Sequence, residues 1–142
     1  MYRFVLDTDV IIAALRSPGG ASAALVGAAL DHQIVILASV PLFFEYEAKC
    51  TSPVHWTAAG LTHDQAHVFV EGLTALIEPV KTHYLWRPTL RDPNDEMVLE
   101  TAVNGRADAI VTFNIRDYGA VPGRFDIEVL TPATAIRRVR NE

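Results

Sequence analysis

The stretch Phe4-Val5-Leu6-Asp7-Thr8-Asp9-Val10-Ile11-Ile12-Ala13-Ala14-Leu15 decides how the rest of the chain is read. Its first three residues form an apolar run that stops abruptly at Asp7, and Val10 to Leu15 continues as a helix. An unbroken apolar strand, unlike an alternating one, is buried on both faces, as in a parallel sheet covered by helices. Outward from this stretch, Ser17-Pro18-Gly19-Gly20 reads as a turn, Ala21 to Leu30 as a helix, and Ile34-Val35-Ile36-Leu37 as a second apolar strand. Ser39-Val40-Pro41 opens a further helix, since proline suits the first helical position, and Thr51-Ser52-Pro53 should end it. Thr62 is expected to cap a helix running to Ile77, with Ala66, Phe69, Val70, Leu73 and Ile77 on its inner face. Pro79 to Pro88 reads as irregular or a short strand, and Asp92-Pro93 starts a helix that stops near Asn104-Gly105. Ala109-Ile110-Val111 and Ile127 to Leu130 are the third and fourth strands. Thr131-Pro132 caps a last helix with a basic end of Arg137, Arg138 and Arg140. Strands alternating with helices predict an α/β fold with a central parallel sheet and helices on both sides.

Composition bounds the function. At 142 residues, 50% apolar and 20% charged, the chain is expected to form one globular domain over residues 1–142. A single cysteine, Cys50, excludes an internal disulfide framework and a multi-cysteine zinc site. No apolar run approaches the roughly 20 residues of a membrane span. Asp7 and Asp9 break the apolar N-terminus, so the expectation is a cytoplasmic protein with no leader and no membrane association. The formal net charge of -5 argues against a broad basic surface for nucleic acid, but not against an enzyme that meets phosphate through metal ions.

In open α/β sheets, sites form just beyond the C-terminal ends of the strands. Asp7, Thr8 and Asp9 follow the first strand, Glu45 lies one helical turn beyond the second, and Thr112, Asn114 and Asp117 follow the third. Asp92 and Asp95 open the helix that precedes that third strand. Each has a plain alternative: Asp92 as an N-cap, Glu45 paired with Lys49 four residues on, Asp117 in a turn. Asp7 is hardest to explain structurally, because an unpaired carboxylate at the end of a buried strand is costly. Clustered carboxylates repel and take up protons unless a cation sits among them. An all-oxygen set suits Mg²⁺ or Mn²⁺ rather than zinc, and such ions support phosphoryl chemistry.

Taken in order, these segments resemble the PIN domain family, in its toxin-like (VapC-like) branch from toxin–antitoxin systems. The residues that carry the resemblance are Phe4 to Ile11, Ser17 to Gly20, Phe44-Glu45, Arg91 to Glu100 and Ile110 to Tyr118. The resemblance implies a three-layer α/β/α fold, an acidic pocket for Mg²⁺ or Mn²⁺, and an endoribonuclease that hydrolyses RNA through a metal-activated water. Carried over by position, Asp7, Glu45, Asp95 and Asp117 are the catalytic acids, with Asp7, Asp95 and Asp117 as metal ligands and Asn114 the alternative to Asp117. Thr112, Asn114, Asp9 and Asp92 are supporting residues, Asp9 standing where many relatives carry Asn. Arg16, Arg91 and Arg116 are candidate RNA contacts by their nearness to the motifs. An antitoxin partner and a homodimer are implied by the resemblance alone.

Two other readings compete. Asp7-Thr8-Asp9 approximates the opening of Asp-nucleophile phosphatases, which also need a lysine, and Lys49 and Lys81 are the only ones. A catalytically degenerate binding module would use the Arg137–Arg140 tail or the helix after Thr62. His63 and His67 share one helix face at i, i+4 spacing and could hold a metal, though no third ligand is evident. Trp56, and Trp86 beside Arg87, could stack on bases or simply pack loops. Cys50 has no histidine partner in sequence and reads as a small apolar residue.

Overall fold

Phe4, Val5 and Leu6 are completely buried, as an unbroken apolar strand in the middle of a sheet requires. The computed structural model describes residues 1–83 and 90–141. Its strands are β1 (Tyr2–Leu6), β2 (Ile34–Ala38), β3 (Ile77–Pro79), β4 (Ala109–Val111) and β5 (Glu128–Leu130). The helices are α1 (Thr8–Arg16), α2 (Ala21–Leu30), α3 (Val40–Cys50), α4 (Pro53–Ala58), α5 (His63–Leu76), α6 (Pro93–Asn104) and α7 (Pro132–Arg140), with short 3₁₀ turns at Ile115–Tyr118 and Pro122–Phe125. The five strands are all parallel, in the order β3-β2-β1-β4-β5, within a three-layer α/β/α arrangement. β1 pairs with β2 from Tyr2–Ile34 to Phe4–Ile36 and with β4 from Phe4–Ala109 to Leu6–Val111.

That order fixes where a site can form. The chain runs outward from β1 through β2 to β3, then crosses back to β4 on the other side of β1. The crevice between β1 and β4 is therefore the topological switch point, where α/β folds bind their ligands.

Two elements were not read from sequence. Pro53 both ends α3 and opens α4 at its first position, where its missing N–H costs nothing. Ile77, expected as the last inward residue of the helix, instead turns extended (ψ 131) and begins β3 against β2. β3 is an edge strand, so Pro79 at its end is tolerated. The expected four strands are thus five. Among the described residues no single helix is long and apolar enough to cross a membrane.

The expected caps are present. Ser39 accepts from Leu42 N, Thr131 from Thr134 N, and Thr62 forms a reciprocal capping box with Gln65. Thr101 of α6 donates to Ser39 Oγ at 2.8 Å, joining the middle of α6 to the start of α3. The Tyr46 hydroxyl donates to the carbonyl of Leu6 and anchors α3 under the end of β1. Cys50 is buried, and burial pushes its thiol up to about 12, which leaves it inert at neutral pH.

Gly105 closes α6 where a Cβ would sit 2.9 Å from both Thr101 O and Val80 Cγ2. Close approach, not backbone conformation, demands the glycine, because its φ is an ordinary -85°. Gly105→Ala should therefore lower the unfolding free energy by about 1–3 kcal/mol in urea denaturation. An unchanged urea midpoint would show that the α6–β2 packing yields more easily than the geometry implies.

Candidate functional site

Asp7 follows β1 directly, and its backbone N–H bonds to Val111 O at the end of β4. Its extended backbone makes it the N-cap of α1, with Oδ1 accepting from Thr8 N at 2.7 Å. Oδ2 accepts from the Thr112 hydroxyl at 2.8 Å and from the Tyr118 hydroxyl at 3.0 Å. Thr112 comes from the end of β4, and Tyr118 from the 3₁₀ turn that follows it. Three segments thus converge on one carboxylate that is only 6% exposed. Burial pushes the Asp7 pKa up, its hydrogen bonds pull it back, and nearby Asp92 pushes it up further. Tyr118 is buried among Asp7, Asp95 and Asp9, so its hydroxyl is driven upward and stays a proton donor.

Asp9 sits two residues into α1 and faces the same loop. Its Oδ2 accepts from Phe113 N and Asn114 Nδ2, both at 3.1 Å, while Thr112 Oγ1 accepts from Asn114 N at 3.0 Å. Oδ1 of Asp9 is buried without a hydrogen-bond partner among the described residues. Burial first, then the charge of Asp7, pushes Asp9 up to about 6. On α6, Asp92 accepts from Asn94 N at 2.8 Å as the N-cap, so the plain reading of this residue holds as well. Asp95, one turn on, is 8% exposed. Burial and then Asp7, Asp92 and Asp117 push it up to about 6, against a hydrogen bond with Tyr118. The helix N-terminus offsets part of this repulsion.

Asp92, Asp95 and Asp117 line a cleft of about 540 Å³ together with Arg91, Arg116, Tyr118 and Gly119. Gly119 takes a φ of +53°, which ends the 3₁₀ turn and lets Tyr118 point inward. Two of the expected cations, Arg91 and Arg116, therefore lie beside the acids. Arg16 stands elsewhere, at the end of α1, where its charge and that of Lys49 add to burial in lowering His55. Glu45 has Lys49 as its ion-pair partner at 3.9 Å. The charges that raise Asp7, Asp9 and Asp95 come from the other aspartates. Lys49 is thus engaged with Glu45 and not with Asp7, as the phosphatase reading would need. Trp56 packs, its Nε1 donating to Thr51 O, whereas Trp86 and Arg87 lie outside the described residues.

Tyr118 is the residue at this site to which the sequence reading gave no role. It stood within the quoted motif, but a tyrosine after an aspartate in a turn carries no signal that its hydroxyl will reach a carboxylate 111 positions earlier.

Do these residues suit a divalent ion? As the side chains stand, no three of His, Cys, Asp or Glu among the described residues already surround one point. The donors are nevertheless hard oxygens, Asp9 and Asp95 are raised by burial and then by neighbouring carboxylates, and Asp9 Oδ1 has no hydrogen-bond partner among the described residues. Asp117 is exposed and lines the cleft from the 3₁₀ turn. A hard divalent cation answers each of these features.

Residues 3–116 match the PIN domain family. The chain belongs to that family. The match takes in Asp7, Asp9, Asp92, Asp95, Thr112 and Asn114 and stops just before Asp117 and Tyr118. Among solved structures, VapBC2 from Rickettsia felis bound to a DNA fragment from its promoter has a TM-score of 0.61 at 14% identity. The alignment covers 91% of this chain and 98% of that one, and at this identity it establishes the shared fold. No curated protein matches the sequence.

Two predictions follow from this geometry. Thr112→Val removes the donor to Asp7 and the acceptor for Asn114 N, and should cost about 1–3 kcal/mol in chemical denaturation. Thr112→Ser should recover most of that loss, and equal losses in both would point to packing of the methyl group instead. The second concerns pH. Asp9 and Asp95 bind protons more tightly in the folded chain than in the unfolded one. Their protonation therefore stabilises the fold at low pH, and that stability is lost as pH rises from about 4 through about 6. In EDTA the thermal midpoint should be higher at about pH 5 than at about pH 7.5, and Mg²⁺ should raise it chiefly at the higher pH.

Proposed function

We propose that the protein is a Mg²⁺- or Mn²⁺-dependent endoribonuclease and the toxin of a toxin–antitoxin pair. The observation that carries this reading is the convergence of Asp7, Asp9, Asp92, Asp95 and Asp117 at one edge of the sheet, beside Arg91 and Arg116. Membership of the PIN domain family supports nuclease chemistry. The VapC-like motifs and the fold shared with VapBC2 support the toxin role.

Asp7 and Asp95 would hold the ion, with Asp117 completing the set and Asn114 as its alternative. Bound there, Mg²⁺ or Mn²⁺ would supply a water of lowered pKa and neutralise charge on the phosphate. Thr112 and Tyr118 hold Asp7 in one orientation, and Tyr118 itself lines the cleft. Asp9 fixes the Phe113–Asn114 backbone, and with it the start of the turn that carries Asp117 and Tyr118. Arg91 and Arg116 would contact the phosphate backbone of RNA from the cleft wall. Glu45 is assigned an outer role on α3, orienting water after releasing Lys49. A protein antitoxin would restrain the enzyme, which would act as a cytoplasmic homodimer over a single domain of residues 1–142.

The test is cleavage of a mixed RNA pool by highly purified protein with Mg²⁺ or Mn²⁺. EDTA should abolish the cuts, and Asp95→Asn should reduce them by about 100-fold or more while leaving the folded spectrum intact. Cleavage that survives Asp95→Asn undiminished would overturn the assignment.

A further inference from the structure

Remote from the acidic cleft, α5 opens with an arrangement that the nuclease reading does not use. His63 and His67 are exposed, one turn apart, and their Nε2 atoms lie 3.1 Å from each other. Two imidazole nitrogens bound to one ion at about 2.0–2.1 Å stand about 2.9 Å apart at a right angle and about 3.3 Å apart at a tetrahedral one. The observed spacing falls between these values. We propose that His63 and His67 form a bidentate site for a divalent transition-metal ion that favours imidazole, such as Zn²⁺, Ni²⁺ or Cu²⁺.

The site is built as well as spaced. The capping box of Thr62 and Gln65 fixes the first turn of α5, and with it the backbone of His63. The Trp56 ring meets His63 edge-on at 6.2 Å between centroids, and Trp56 is itself held by its bond to Thr51 O. The two histidine rings stand 4.4 Å apart at 70°. Both rings are therefore oriented before any ion arrives, which lowers the entropic cost of chelation. In the free protein one Nε2–H donates to the other Nε2. An ion takes the lone pair of both Nε2 atoms, so binding replaces that hydrogen bond and needs its proton to leave Nε2. On His63, Nδ1 lies 3.7 Å from the exposed Asp64 carboxylate, beyond hydrogen-bond distance.

The ion chemistry differs from that of the acidic cleft. Nitrogen donors select borderline ions, whereas the carboxylates select Mg²⁺ or Mn²⁺, so the two sites can fill independently.

The chain has two tryptophans, so Trp86→Phe leaves Trp56, in contact with His63, as the only one. Cu²⁺ or Ni²⁺ titrated into this variant, in saturating Mg²⁺, should quench the fluorescence along a saturable one-to-one curve. Adding His67→Ala should shift the midpoint to about tenfold or more higher metal, while adding His83→Ala should leave it in place. The same midpoint with and without His67→Ala, or a quench that Mg²⁺ removes, would overturn the site. A thermal melt of each variant in EDTA confirms that the compared chains are folded.

Discussion

A carboxylate at the end of a buried central strand has to be accounted for, and the arrangement around Asp7 is that account. Left unpaired it would cost several kcal/mol, so Thr8, Thr112 and Tyr118 donate to it from three separate segments. The same bonds tie α1 to β1, β4 to β1, and the turn after β4 back to the sheet. Burial still prevails over them, and the group stays harder to ionise than an ordinary aspartate. Asp9, Asp92, Asp95 and Asp117 add charge to the same place, where Arg91 and Arg116 line the cleft beside them. Such an arrangement costs stability, as departures from local rules at functional sites commonly do.

The sheet order makes this convergence possible. Because β4 lies beside β1, residues more than a hundred positions apart become neighbours at the strand ends. α6 packs across β1, β2 and β4, which aims its acidic N-terminus at that same crevice. Tyr46 and Gly105 hold α3 and α6 close against the sheet, so the acids are set by the packing of the core and not by loop conformation alone.

Much of this was legible in the residues. Unbroken apolar runs at Phe4–Leu6, Ile34–Leu37 and Ala109–Val111 announced a doubly covered parallel sheet, and the caps at Ser39, Thr62, Asp92 and Thr131 marked where helices begin. The rule that sites lie beyond strand ends pointed to Asp7, Thr8, Asp9, Glu45, Thr112, Asn114 and Asp117, and the acidic opening of the next-to-last helix added Asp92 and Asp95. What escaped were features decided by tertiary contact. Ile77 fits a helical face as well as a strand, and only pairing with Ile36 makes it β3. Pro53 reads as a stop, because a proline that ends one helix looks the same as one that starts the next. Glu45 taken alone read first as the i, i+4 partner of Lys49 and became a candidate catalytic acid through the resemblance, and the structure pairs it with Lys49. Tyr118 could be found only once the turn carrying it had been folded against Asp7.

Burial, and after it the charge of neighbouring aspartates, makes Asp9 and Asp95 hard to ionise, and a divalent cation bound beside them would offset both. A carboxylate-resolved NMR titration of Asp9 and Asp95, with and without saturating Mg²⁺, measures this directly. The account predicts titration near about 6 in the metal-free protein and a clear downward shift in Mg²⁺. Ordinary aspartate values near about 4 in the metal-free protein, unmoved by Mg²⁺, would contradict it.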